Sequence, residues 1–140
     1  MAYREKLAWI SLVTTLLVFG AYGLSLISSD FARWIGGGDS LRLIGAVVVE
    51  IILASALAIA AAVSTPRDAT APVDEREEKI FARANSWGYG ILSALIWMIL
   101  LAGLYLGFDG HSLALGCLVA MIVSELIRSA CQIIGFRRGA

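Results

Sequence analysis

The amino-acid sequence predicts an all-α membrane protein with four transmembrane helices, arranged as two antiparallel hairpins with both ends in the cytoplasm. Composition is the first observation, since 59% of the 140 residues are apolar and only 16% are charged. Soluble domains have about 45–50% apolar and about 25% charged residues. The second observation is that the apolar residues form four blocks, each about the 20 residues that a helix needs to cross a bilayer. The third is the uneven placement of Lys and Arg.

The first apolar block predicts a helix over about residues 7–27, directly after the charged start Arg4-Glu5-Lys6. A signal peptide would have a shorter apolar region of about 7–15 residues, followed by a small-x-small cleavage site. Because this block is longer and ends at Ser28-Ser29-Asp30, we predict an uncleaved first helix. The next connection contains Gly36-Gly37-Gly38 without the Lys or the strand-to-helix context of a phosphate-binding loop, which predicts a flexible turn.

Three further apolar blocks predict helices over about residues 42–63, 86–107 and 112–134. Small residues at spacing four in the second helix, Ala54, Ala58 and Ala62, favour close approach of a neighbouring helix. Only residues 108–111 separate the last two helices, so these form a tight antiparallel hairpin. The whole chain is therefore predicted to be one transmembrane domain, because no polar connection is long enough to bury a core of its own.

The connection over residues 64–85 is the only strongly polar stretch and is predicted to be a cytoplasmic loop. Its first half, residues 66–72, has the composition of a linker. Its second half predicts a helix start, because Asp74 can serve as the N-cap and Glu77 can complete a capping box. No helix breaker follows Ala82, so this helix is expected to continue into the membrane.

Orientation follows from the Lys and Arg residues near the helix ends, which concentrate on the cytoplasmic side of membrane proteins. Eight of them fall on one side of the predicted topology and two on the other, which places both ends and the central loop in the cytoplasm. The eight are Arg4, Lys6, Arg67, Arg76, Lys79, Arg83, Arg137 and Arg138, and the two are Arg33 and Arg42.

Two carboxylates fall inside predicted helices, where a charged side chain costs about 2.5–3.5 kcal/mol on insertion scales and must face protein, water or a partner. Glu50 lies near the middle of the second helix, where it forms either a proton or cation site or a structural polar contact. Glu125 has a partner one turn on in Arg128. Ser129 and Gln132 share that helix face, and the resulting polar stripe either lines a cavity or seals a helix contact.

Other candidate chemistry is weak, and we predict neither enzyme activity nor a cofactor or metal. His111, the single histidine, stands beside Asp109 in the last turn and is interpreted as a plain turn residue, because a metal site needs more ligands. Cys117 and Cys131 are about 21 Å apart along one helix, too far for a disulfide, and are interpreted as small buried apolar residues. The net charge is zero, so direct binding to nucleic acid is not expected.

Two charged segments carry a resemblance to a known family. The first is Arg4-Glu5-Lys6-Leu7-Ala8-Trp9, which resembles an E-K-x-A-W motif. The second is Val73-Asp74-Glu75-Arg76-Glu77, with Tyr89 in the helix that follows, which resembles a D-E-R-D/E motif. Both motifs are typical of a family of small bacterial membrane proteins with no assigned activity. The resemblance implies a multi-pass protein of the bacterial inner membrane. Some members are encoded beside small helix-turn-helix regulators, which implies a regulatory partner. The family offers no catalytic residues to carry over.

The favoured functional hypothesis is a non-enzymatic interaction or regulatory protein that uses the segment from Asp74 to Arg83. Its expected partners are the bilayer and another membrane protein, a cytoplasmic protein or a second copy of the chain. Glu75 and Lys79 are also spaced for a favourable i, i+4 pair. The alternative is a small transporter or channel component with Glu50 and the Glu125/Arg128 stripe in a proton or cation pathway. The predicted docking residues are Asp74, Glu75, Arg76, Glu78 and Lys79.

Overall fold

The structure, a computed structural model, describes residues 3–27 and 39–138, apart from the side chains at positions 26, 27, 39, 40, 68 and 69. Every regular element within these residues is a helix, which confirms the all-α prediction. The first connection, with its three glycines and Arg33, lies outside the described residues. The elements are α1 (Tyr3–Ile27), α2 (Asp39–Ser64), α3 (Pro66–Thr70), α4 (Glu75–Leu106) and α5 (Gly110–Arg138).

Four of these helices, α1, α2, α4 and α5, are long enough and apolar enough to cross a membrane. The mean hydropathy of their most apolar windows ranges from 1.8 in α1 and α5 to 2.6 in α2. Large apolar side chains stand on their outer faces, among them Leu24, Ile59 and Leu104, the last of which is 83% exposed. Apolar surface of this extent is rare on soluble monomers, whereas the hydrocarbon core of a bilayer accepts it.

Helix α4 begins at Glu75, well before the predicted membrane block, which confirms that the charged segment is continuous with the third membrane helix. Asp74 is the N-cap, and its backbone N–H donates to Glu77 Oε2 at 3.4 Å, as the capping box predicts. The helix ends at Leu106 and is capped by Gly107, whose φ of +68° favours glycine and whose N–H donates to Gly103 O at 2.9 Å. The turn to α5 is therefore as short as predicted.

The stretch predicted to be a linker contains a short helix, α3. Pro66 occupies its first turn, where the missing N–H costs nothing and the fixed φ is already helical. The Thr70 hydroxyl donates back to Pro66 O at 3.0 Å, which closes the single turn. Composition alone predicted a linker here because these local contacts are too few to leave a periodic pattern.

The chain divides into two compact units, Met1–Ala71 and Pro72–Ala140. In the first unit α1 packs against α2, and α3 contacts both helices. The three alanines at spacing four in α2, Ala54, Ala58 and Ala62, are half-buried and continue one side of the helix from Glu50. The side chain of Arg4 donates to Ala71 O at 3.1 Å, which ties the start of α1 to the end of this unit.

In the second unit α4 and α5 pack closely along their length through small residues. A Cβ atom at Gly135 would lie 2.7 Å from Ile80 Cγ2, and one at Gly116 would lie 3.0 Å from Ile99 Cγ2. The earlier residue of α4 faces the later residue of α5 in these two pairs, so α4 and α5 are antiparallel. The arrangement of all four helices as two hairpins in one transmembrane domain, with both ends in the cytoplasm, stays a prediction.

Candidate functional site

Glu50 lies between α1 and α2, within hydrogen-bond distance of two threonine hydroxyls. Thr14 Oγ1 is 3.0 Å and Thr15 Oγ1 is 3.1 Å from Glu50 Oε1, and both threonines are buried. Thr14 Oγ1 also lies 2.9 Å from Ile10 O, and a hydroxyl has only one hydrogen to donate. Glu50 Oε2 is buried and has no hydrogen-bond partner among the described residues. The site is therefore a polar helix contact with one unsatisfied carboxyl oxygen.

A cavity of about 530 Å³ lies between α1 and α2. Val49 lines this cavity, but the next residue, Glu50, does not. Its lining is mainly apolar and runs from Leu17 to Ser25 on α1 and from Leu41 to Val49 on α2. Glu50 is thus packed against threonines instead of standing in this open space. That placement favours the structural interpretation of Glu50 over a role in transport.

Glu125 pairs with Arg128, the partner that the sequence predicts. Arg128 Nε donates to Glu125 Oε2 at 2.9 Å, and Arg128 Nη2 donates to Glu125 Oε1. The two side chains are 35% and 32% exposed, and the aliphatic stem of Arg128 lies over Gly88 of α4. Both carboxylate oxygens are therefore paired in a two-bond geometry that suits guanidinium and carboxylate groups.

The rest of the predicted polar stripe is separate from this ion pair. Ser129 and Gln132 are buried, with exposed fractions of 0% and 4%. Ser129 Oγ and Gln132 Nε2 have no hydrogen-bond partner among the described residues. The stripe therefore combines a half-buried ion pair with two buried polar groups, and the latter make it a helix contact.

Sequence reasoning missed a polar contact between α4 and α5. Ser124 Oγ donates to Gly88 O at 2.9 Å, and both residues are buried. Gly116, Ala120 and Ser124 stand at spacing four, so the small-residue pattern recognised in α2 was also present here. That pattern would have identified the face of α5 that packs against α4.

The charged segment at the start of α4 presents four exposed side chains, Glu75, Arg76, Glu78 and Lys79. None of them makes a hydrogen bond or ion pair with another described residue, so the predicted Glu75–Lys79 pair is not formed. At the end of this segment Ile80 is buried, with only 5% of its surface exposed. The segment is thus fixed by the packing of Ile80 against Gly135 of α5 and carries four exposed, unpaired charges.

A second cavity, of about 420 Å³, lies beside this segment between α4 and α5. Three cations line it, Lys79 and Arg83 from α4 and Arg138 from α5. Trp87 and Ile134 contribute an apolar part of the wall. Sequence reasoning did not identify this site, because it depends on which faces of two distant segments meet.

Asp109 lies in the turn before α5 and caps that helix, whereas His111, predicted to be a turn residue, lies in the first turn of α5. The Ser112 hydroxyl and backbone N–H both donate to Asp109 Oδ1, and these bonds hold the pKa of Asp109 below its ordinary value. His111 is exposed. Both cysteines are unbridged, as predicted, although Cys117 and Cys131 are half-buried instead of fully buried.

The lengths and apolar surfaces of the four long helices are those of a multi-pass helical membrane protein. Comparison of the chain with protein-family models, characterised proteins and solved structures found no match. The resemblance drawn from the two charged motifs therefore stays a prediction.

Proposed function

We propose that this chain is a non-enzymatic interaction protein of the bacterial inner membrane, which binds a protein partner through the exposed charges from Asp74 to Lys79. The observation that supports the proposal is that Glu75, Arg76, Glu78 and Lys79 are exposed and unpaired on a helix that Ile80 packs against α5. Unpaired charges on a fixed helix can meet a complementary surface without first breaking internal ion pairs.

Packing against α5 prepares this segment for binding. Ile80 is buried next to Gly135, and the rings of Phe81 and Phe136 meet edge to face with centroids 5.9 Å apart. A helix that is already ordered loses less conformational entropy on binding than a flexible loop does. Charged contacts of this kind set specificity and association rate more than affinity.

The proposal includes a topology in which this segment faces the cytoplasm. Its support is the excess of eight Lys and Arg residues over two on the proposed inner side. In this topology the pairs α1–α2 and α4–α5 enter the membrane as two hairpins from the cytoplasm, and both chain ends are cytoplasmic. The expected partner is a cytoplasmic protein, another membrane protein or a second copy of the chain.

Reversing the acidic charges should abolish partner binding. In a Glu75→Lys and Glu78→Lys double variant we expect the partner that wild type retains to be lost from affinity purification after in vivo cross-linking. The reason is that two attractive contacts become repulsive while the buried face of α4 is untouched. Differently tagged copies of the chain in the same cells would detect self-association.

The matched control is Ala71→Lys with Val73→Lys, which adds two cations at exposed positions beside the same helix and leaves both acids intact. It should retain the partner, and all three proteins should insert in equal amounts. A cysteine introduced at Arg67 in a cysteine-free background should be labelled only from the cytoplasmic side. Recovery of the same partners by the reversed variant would show that this surface is not the docking site.

A second candidate is proton or cation transport through Glu50 and the Glu125/Arg128 stripe. The observation that favours it is the buried Oε2 atom of Glu50, which has no partner among the described residues and is available to a proton. The Glu125/Arg128 pair, in contrast, already satisfies both of its carboxylate oxygens. Transport would therefore depend on Glu50 in particular.

Two substitutions distinguish transport from a structural contact at Glu50. Glu50→Gln retains an oxygen that accepts from Thr14 and Thr15, whereas Glu50→Leu removes it. Transport predicts that proteoliposomes of wild type conduct protons or cations and that Glu50→Gln loses the flux while folding normally. A structural contact predicts less folded protein in Glu50→Leu only, with no flux difference between wild type and Glu50→Gln.

A further inference from the structure

The cavity between α4 and α5 carries positive charge with no acidic residue in its wall. Its three cations are Lys79, Arg83 and Arg138, and they make no ion pair or hydrogen bond with other described residues. Its volume of about 420 Å³ lies within the range of about 300–1,000 Å³ that is typical of ligand sites. An anion in this cavity would therefore meet three available donors and no carboxylate.

The polar and apolar parts of the cavity are ordered along the helix axes. On α4, Lys79 and Arg83 precede Trp87, which lies about 12 Å further along the helix from Lys79. On α5, Ile134 precedes Arg138. Since the two helices are antiparallel, the cations gather at the end of the hairpin that holds residues 75–83 and 138. The apolar wall extends from there toward the membrane-spanning part.

The other boundary of the cavity is the outer surface of the hairpin. Trp87 is 56% and Ile134 is 47% exposed, so the apolar wall continues into surface that faces lipid when the helices span a bilayer. Tryptophan is enriched at the level of the headgroups, where a polar edge and an apolar ring are both accommodated. A ligand that fills this cavity must therefore be anionic at one end and apolar at the other.

We propose that this cavity binds an anionic phospholipid, with its phosphate among Lys79, Arg83 and Arg138 and its acyl chains along Trp87 and Ile134. Basic pockets between transmembrane helices on the cytoplasmic side bind anionic headgroups by the same chemistry. The site shares Lys79 with the protein-docking surface, whose acidic residues Glu75 and Glu78 do not line the cavity. A phospholipid held here would tie the start of α4 to the membrane surface.

Native mass spectrometry of the full chain in neutral detergent tests the proposal. With equimolar phosphatidylglycerol and phosphatidylcholine added, wild type should retain phosphatidylglycerol in preference. An Arg83→Gln and Arg138→Gln double variant should lose about 30-fold in apparent affinity for phosphatidylglycerol, because each cation near a phosphate contributes about a fivefold effect. Affinity for phosphatidylcholine should be unchanged.

Two controls separate this site from general surface charge. Arg67→Gln with Arg76→Gln removes two exposed cations that do not line the cavity and should retain the preference. Arg83→Lys with Arg138→Lys keeps both charges and should stay within a few-fold of wild type. Thermal unfolding of each variant in the same detergent would identify any that fail to fold. If the glutamine variant fails, the lysine variant is the one compared with wild type.

Three outcomes would overturn the proposal. One is equal retention of both lipids by wild type. Another is an equal loss in the Arg67 and Arg76 control, which would show that net charge and not this cavity selects the lipid. The third is displacement of phosphatidylglycerol by millimolar inorganic phosphate, which would identify the site as one for a free anion instead of a membrane lipid.

Discussion

Replacing Arg128 with methionine should destabilise the folded protein by about 2 kcal/mol, because the substitution leaves Glu125 without its partner inside a membrane-spanning helix. Arg128 donates two hydrogen bonds to the two carboxylate oxygens of Glu125. Removal of one member of a desolvated ion pair usually costs about 3–5 kcal/mol, and the one-third exposure of this pair lowers the expected value. Reversible unfolding in mixed micelles would measure the change in free energy.

The double variant Glu125→Leu with Arg128→Met should recover most of that loss. With both charges removed, no unpaired group stays behind, and apolar side chains of similar size suit the surroundings. The two single substitutions should therefore be strongly non-additive, with a coupling energy of about 1–3 kcal/mol. A loss in the double variant equal to the sum of the two single losses would show that the pair contributes nothing beyond its two separate side chains.

Gly135→Ala should destabilise the α4–α5 hairpin by about 1–3 kcal/mol through overpacking. The added Cβ would lie 2.7 Å from Cγ2 and 3.2 Å from Cγ1 of Ile80, and both atoms are attached to a Cβ close to the α4 backbone. Relief of the clash therefore requires the two helices to separate. At Gly103 the added Cβ would meet only the tip of Leu113, so Gly103→Ala should cost less. The same unfolding measurement compares the two.

Gly90→Ala is the matched control for this prediction. Gly90 is an exposed helical residue of α4 with no atom within 4 Å of an added Cβ, so alanine should be neutral or stabilise by about 0.5–1 kcal/mol. Ile80→Ala should relieve the clash in a Gly135→Ala background. If Gly135→Ala and Gly90→Ala had the same effect on stability, contact between α4 and α5 at Gly135 would not be close.

The positions of the long helices were predictable from the sequence because they depend on local properties. Each apolar block is long enough to cross a bilayer, and the connection at residues 107–109 leaves no room for anything but a turn. The cap at Asp74 was predictable for the same reason, since its partner Glu77 is three residues away. The Glu125–Arg128 pair was also predictable, because its two residues are about one helical turn apart.

The candidate sites depend instead on which helix faces meet, and that is a property of the tertiary structure. Glu50 finds Thr14 and Thr15 on another helix, and nothing in the spacing along the chain selects them. The local rule predicted that Lys79 would pair with Glu75, yet Lys79 lines a cavity with Arg138.

The sequence by itself determined four apolar helices and the charged start of α4, because the energies involved come from residues close together in the chain. Only the tertiary structure decided the partners of Glu50 and the grouping of three cations in one cavity. Packing between helices is specified by the shapes of small and large residues on both surfaces, such as Gly135 against Ile80. Those complementary shapes exist only once the two segments are side by side.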